Sequence, residues 1–315
     1  MAKNGQKKKI NWKEYFEKRQ NSYLSDASRE EFVKHLHSAA SENKKIERTI
    51  ITSITFDKEI YMNEAILIEY PYIHISVPDI VSLVTPKKTL DKELYERASS
   101  VKDNPLFPED LINLRSSFKH DELRNAYTLS WKFGDAGEIQ EPKFYPSQIL
   151  SIGYIQPSPS AEAKDYPKNL EQIGLKLIDR RIKTFQLFKK EEKLPVAEKE
   201  GYKIFECYLR NSTMSWVEKE LAIFANIQAG ELFHQKGIAA CFASPYGSPC
   251  ETHYAPIMRP LDSYRDLINQ RALLSIFTGL KKDFPYTPAQ IAKINERIQT
   301  RYSAWKNLEK KNSNL

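Results

Sequence analysis

Cysteine and glycine are both scarce in this chain, three of the first and 10 of the second in 315 positions. Cys207, Cys241 and Cys250 are odd in number and widely spaced. That excludes a complete disulfide framework and offers no CxxC pair for zinc. A reducing, cytoplasmic setting is the expectation. There is no Gly-rich phosphate loop, and no Ser-His-Asp or Cys-His arrangement for nucleophilic catalysis is apparent. No run approaches the roughly 18 apolar residues of a membrane span. The N-terminal "MAKNGQKKKINW" is basic but has no apolar core, so neither a membrane anchor nor a secretory signal is expected.

What is present suits a folded, water-soluble chain: 41% hydrophobic and 28% charged residues, with net charge +7 and a sequence pI near 9.0. The basic excess is compatible with a polyanionic partner without requiring one. The lysines at positions 3, 7, 8 and 9 read as a solvated tail.

Apolar spacing predicts an α+β order, strands early and helices late. Residues 11–45 read as helical, with cap residues in "SDASREEF". Residues 47–55 and 65–77 are rich in Ile, Thr and Val and read as strands, with "EYPY" as a turn. A short helix follows in "TLDKELYERASS". The clearest strand is 123–133: Leu123, Tyr127, Leu129, Trp131 and Phe133 alternate with Arg124, Thr128, Ser130 and Lys132. "GDAGE" turns it into a partner at 138–149. After the Pro/Ser-rich connector 156–169, helices are predicted at 169–189, 215–236, 262–279 and 288–309, with a strand at 202–210. Leu175, Ile178, Ile182 and Phe185 are the expected apolar stripe of the first of these helices.

His35 and His37 are two apart and do not share a helix face, so they are not expected to bind metal. His234 and His253 have no acidic or cysteine partner at ligand spacing. Basic clusters at Arg180-Arg181-Lys183, Lys189-Lys190 and Lys281-Lys282 read as solvated faces, which would hold phosphates only if they lined a nucleic-acid channel.

Several segments carry a more specific pattern. They are "YIHISVPDIVSLVTPKKTLDKELYERASSV" (72–101), "LFPEDLINLRSSF" (106–118), "AYTLSWKFGDAGEIQEPKFYPSQI" (126–149), "VEKELAIFANIQAGELFHQKGIA" (217–239) and "YAPIMRPLDSYRDLINQRALL" (254–274). Five such segments in this order resemble the RNB catalytic domain of the RNase II and RNase R exoribonucleases. The resemblance implies an RNB-type domain at 47–285, antiparallel and β-rich in its first half, between an N-terminal helical extension (1–46) and a C-terminal helix (286–315). With so few residues on either side, flanking OB-type domains are not expected.

In that family a segment Ile-Asp-x5-Asp-x-Asp-Asp-Ala supplies carboxylates to Mg²⁺ for 3′-to-5′ hydrolysis. The chemistry needs hard, anionic oxygen ligands. Here "ITFDKEIYMNEAI" (54–66) aligns without a gap and puts Thr55, Tyr61, Asn63 and Glu64 at the four acidic positions. Three anions are gone, and a phenol with a pKa near 10 is a poor Mg²⁺ ligand. Asp57 and Glu59 are the nearest carboxylates that could substitute, although loop charges in solvent are the plainer reading.

The resemblance makes Arg259 the first candidate for a phosphate contact and Arg265 the second; pairing with Asp262 or Asp266 is the alternative for each. Glu220 and Asn226 match family positions that either support the floor of the site or serve as buried hydrogen-bonding groups. His74 aligns with a family histidine and is expected to be structural. Two readings follow. One is a catalytically impaired pseudo-exoribonuclease that acts by binding single-stranded RNA or a protein. The other is an active exoribonuclease using Mg²⁺ or Mn²⁺ at a remodelled site.

Overall fold

The β-branched runs on either side of residue 60 do form strands. In the computed structural model, residues 24–42, 47–56, 64–100, 105–107, 118–134, 138–155, 170–192, 215–243, 253–280 and 284–312 are described. Strands β1 (Thr49–Phe56), β2 (Ala65–Glu69), β3 (Tyr72–Pro78), β4 (Leu123–Phe133) and β5 (Ile139–Ile155) follow one another around a closed barrel. Each pairs antiparallel with the next. Since direction alternates at every step, the fifth strand of such a ring runs the same way as the first. β1 accordingly closes on β5 in parallel, with a register shift between Ser53 and Ile54. That pairing joins the two ends of the β region, and no local pattern announces it.

Closure gives β4 two covered faces. Tyr127, Leu129, Trp131 and Phe133 share a core with Ile73, Ile75 and Val77 of β3. The opposite face is polar and also buried: Ser76 and Thr128 hydroxyls lie 2.7 Å apart, and Thr128 and Ser147 2.6 Å apart. Further along, His74 Nδ1 is 3.0 Å from the Tyr145 hydroxyl. This supports the structural reading of His74, whose pKa is lowered by burial despite the opposing charge of Glu69. Leu123, expected with the apolar face, lies at the strand end and is 48% exposed.

Helices α3 (Leu170–Glu192) and α4 (Ser215–Gln235) cover the apolar face. On α3 the buried positions are Leu170, Ile173, Leu177 and Ile178, while Leu175 is 40% exposed. The stripe is therefore set differently from the one predicted; the side chains of Ile182 and Phe185 are outside the described residues. Phe224 of α4 meets Trp131 edge-on at 4.9 Å between ring centroids. The basic cluster at 180–181 is engaged within this layer rather than presented as a free patch. Arg180 lies over the Phe224 ring, and Arg181 grips Glu220.

A second core collects the two ends of the described chain. It joins α1 (Asp26–Glu42) through Leu24 and Phe32, α2 (Thr89–Arg97) through Leu90 and Leu94, and α6 (Pro288–Asn312) through Ile291 and Ile294. Glu93 of α2 caps the start of α1, accepting from Ser25 N, Ser25 Oγ and Ser28 Oγ. Burial pushes its pKa up, but these donors and Arg97 outweigh it and hold the carboxyl below its ordinary value. The predicted helix from residue 11 to 23 and the strand at 202–210 lie outside the described residues.

Both cores meet at α5 (Tyr264–Thr278), whose middle is buried all round. Its fully buried Arg271 pairs with Asp91 at 2.8 Å and donates to Val84 O at 2.9 Å and to the Tyr286 hydroxyl. Asp91 also accepts from the Tyr264 hydroxyl and from Lys87 N. Taking one partner from such a pair leaves an uncompensated buried charge. Arg271→Met is therefore expected to cost roughly 3–5 kcal/mol of stability, read as a lower urea midpoint at unchanged slope.

Candidate functional site

Glu64 ends the aligned acidic segment and enters β2, and it is completely buried. Thr55 lies across from Ala65, the residue next to Glu64, in the β1–β2 ladder. The side chain of Thr55, and residues Asp57, Glu59, Tyr61 and Asn63 altogether, lie outside the described residues. Of the four aligned positions, Glu64 is thus the one with a described side chain.

Arg259 belongs to a tight turn before α5. Its carbonyl accepts from Asp262 N and Ser263 N at 3.0 and 2.9 Å, while its own N–H donates to Asp266 Oδ1 at 2.8 Å. Its guanidinium stands in the field of four carboxylates. Local burial opposes the charge, but Glu64, Asp262, Glu218 and Asp266, in that order, more than offset it and raise its pKa. Glu64, Glu218 and Asp266 are themselves buried. Burial pushes the Asp266 carboxyl up, against its bonds from Arg259 N and Ser263 and the charges of Arg265 and Arg259.

The second candidate arginine has different surroundings. The charge of Arg265 acts on Cys241 and Asp266. Its Nε is buried without a hydrogen-bond partner among the described residues. Cys241 itself is buried, and burial pushes its thiol up to about 12, the condition of an unreactive packing cysteine. Of the two arginines, Arg259 is the one on which the charge of Glu64 acts.

The two supporting residues separate in the same way. Glu220 forms a two-point ion pair with Arg181, at 3.0 and 2.6 Å, tying α4 to α3. Burial raises its pKa, and Arg181 opposes the rise. Asn226 instead holds the chain leading to Arg259: Oδ1 accepts from Ile257 N at 2.8 Å, Nδ2 donates to the Tyr254 hydroxyl at 2.8 Å, and its carbonyl accepts from Ala255 N. Gly230, one turn further along α4, lets the same chain approach. A Cβ there would lie 1.4 Å from the His253 carbonyl oxygen. From α5, Asn269 donates to Pro256 O and Gln270 to Ile257 O.

Glu218 was not singled out from the sequence. An acid in the first turn of a helix reads as a partner of the helix dipole, and nothing nearby marked it as part of a site. His234 and His253, unremarkable in sequence, stack with ring centroids 3.9 Å apart. Burial and the neighbouring His234 charge lower the His253 pKa, with Glu231 opposing.

Of the four aligned positions, the sequence keeps a carboxylate at Glu64. Among the described residues no group of three or more His, Cys, Asp or Glu side chains could hold a metal ion.

A closed five-stranded barrel with helices packed on its apolar face defines the class of fold. The RNB domain model matches residues 43–244, and the chain belongs to the RNB family. Solved structures agree on the fold. Apo RNase R from Mycoplasma genitalium superposes with a TM-score of 0.67 at 14% identity, over 96% of this chain and 61% of that one. The same enzyme in complex with ribose-methylated single-stranded RNA gives 0.65, also at 14% identity, over 96% of this chain and 61% of that one. Yeast Ssd1, described as a pseudonuclease, gives 0.60 at 12% identity, over 82% of this chain and 43% of that one. This chain thus spans about 61% of the length of RNase R. A search of curated proteins finds no match. Among the described residues, no helix is long and apolar enough to cross a membrane.

The hold of Asn226 and Gly230 on the 253–257 segment is testable. Asn226→Ala removes the acceptor of Ile257 N and the donor to the Tyr254 hydroxyl, an expected loss of roughly 2–4 kcal/mol. Gly230→Ala is expected to lose at least as much, and chemical denaturation of both variants measures it.

Proposed function

We propose that this protein is a non-hydrolytic RNB module that binds single-stranded RNA in the groove where its relatives cut it. The observation that carries this reading is that one carboxylate, Glu64, remains of the four aligned acidic positions and is fully buried where the chain enters β2. Thr55 and Asn63 would present neutral oxygens and Tyr61 a phenol in place of the other acids. Two Mg²⁺ ions beside a phosphate need several anionic oxygens to balance them, and this set does not supply them.

Retention of RNA is supported by the fold, which is that of RNase R, an enzyme solved in complex with RNA, and by the net charge of +7. Binding without base contacts draws chiefly on phosphate attraction and base stacking, both independent of the metal. The sparse and widely spaced cysteines support a reducing, cytoplasmic setting.

The test uses 5′-labelled single-stranded RNA incubated with protein and Mg²⁺ or Mn²⁺, resolved on a denaturing gel. A parallel anisotropy titration is run at two salt concentrations. Intact RNA is expected throughout, with binding that weakens at least about tenfold from 50 to 200 mM salt. Stepwise shortening that disappears in a Glu64→Ala, Arg259→Ala double variant would establish an active, remodelled exoribonuclease instead. RNA left intact but unbound would point to a protein partner.

A further inference from the structure

One stripe of α4 holds the approach to Arg259, and its far end is made of titratable rings. Asn226, Gly230 and His234 are spaced four residues apart and so share a face of the helix. Each takes a different part of the 253–257 segment. Asn226 binds Ile257 N, Ala255 N and the Tyr254 hydroxyl, and Gly230 leaves room for the His253 carbonyl. The His234 ring stacks on the His253 ring, with centroids 3.9 Å and planes 29° apart. Phe242 meets His253 edge-on at 6.3 Å, and Ala243 N donates to Tyr254 O, so the chain after α4 grips the segment from a second side.

Neutral imidazoles stack as other planar rings do. Two imidazoliums do not, since like charges about 4 Å apart disfavour the closed pair roughly fivefold even at the dielectric constant of water. Among the described residues, Glu231 of α4 is the carboxylate whose charge acts on His253, and it favours protonation. Burial and the charge of His234 act against it and prevail, so the His253 pKa lies below its ordinary value. Phe242 faces the pair without charge. A histidine of this kind supports the closed form while it is neutral. Its contribution is present above the ordinary value of about 6.5 and is lost as pH falls below it.

We propose that the His234–His253 stack is a pH-sensitive latch on the approach to Arg259. Closed while the rings are neutral, it fixes the start of the 253–257 segment on α4; protonation of both rings opens it. Asn226 sits about two turns away and does not titrate, so the segment loosens from its His253 end. The latch does not depend on RNA binding, and its test uses no RNA.

The experiment is hydrogen exchange of the full chain at pH 7.5 and 5.5, read at the Ala255 and Ile257 amides. Rates are corrected for the intrinsic effect of pH and compared with amides of α2. In the unaltered protein, protection of both amides relative to α2 is expected to fall at least about threefold at the lower pH. The His234→Phe, His253→Phe pair keeps planar rings that cannot take a proton, and its protection should be the same at both pH values. His253→Ala removes the stack and should expose both amides equally at either pH.

The proposal is overturned if protection in the unaltered protein does not change between the two pH values, or if the Phe pair responds to pH as the unaltered protein does. Should the Phe pair fail to fold, the imidazole titration of His253 in the unaltered protein, followed by NMR, decides the matter. A midpoint below about 6.5 that moves together with the Ala255 and Ile257 amide signals supports the latch. A midpoint at or above that value, or amide signals that do not follow it, overturns it.

Discussion

A helix buried on all sides must satisfy every polar side chain it carries, and α5 carries four in its buried centre. Asp266, Asn269, Gln270 and Arg271 are all buried, so each must find a partner within the protein. Asp266 takes Arg259 N; Asn269 takes Cys241 N and O together with Pro256 O; Gln270 takes Ile80 N, Pro78 O and Ile257 O; Arg271 takes Asp91, Val84 O and Tyr286. These partners sit on segments that are otherwise irregular: the chain leaving β3, the chain after α4, and the approach to α5 itself. Hydrophobic burial would pack them in many ways. The polar row selects one, because any shift strands a buried donor or acceptor. The position of Arg259 follows from this, as its main chain is held from α5 on one side and from Asn226 of α4 on the other.

A buried ion pair holds a second join of the chain in the same manner. Arg48 and Asp79 pair at the entrance to the barrel beside Tyr127, and Arg48 also ties Ala126 O and Ser147 O to the start of β1.

The parts of this arrangement differ in how plainly the sequence states them. β4 and α4 are written in their periods of two and 3.6, and both lie where those periods place them. Leu123 and Leu175 show the limit. A pattern reports which residues alternate, but the exposed end of a strand and the tilt of a helix on its sheet are set by neighbours far along the chain. The β1–β5 pairing is likewise invisible locally, since it follows from closure of the ring. At the centre, Glu64 and Arg259 are legible through the order of the motifs. Their proximity is not, because about 195 residues separate them and only the fold spans that distance. Glu220 illustrates the converse: it matches a family position, yet its two oxygens are taken by Arg181. Glu218, two residues earlier, acts on Arg259 with no motif to mark it.

Fold and catalysis in this scaffold draw on different residues, and that separation explains how one can outlast the other. The groups that fix the architecture are the polar row of α5, Asn226, the Arg181–Glu220 pair and the two apolar cores; none of them needs a metal. In the family pattern the acids on which hydrolysis depends are gathered in a short segment before β2, and of those four positions this chain keeps a carboxylate at Glu64. Glu64 is also buried outright, so a change there is felt by the fold as well as by the chemistry.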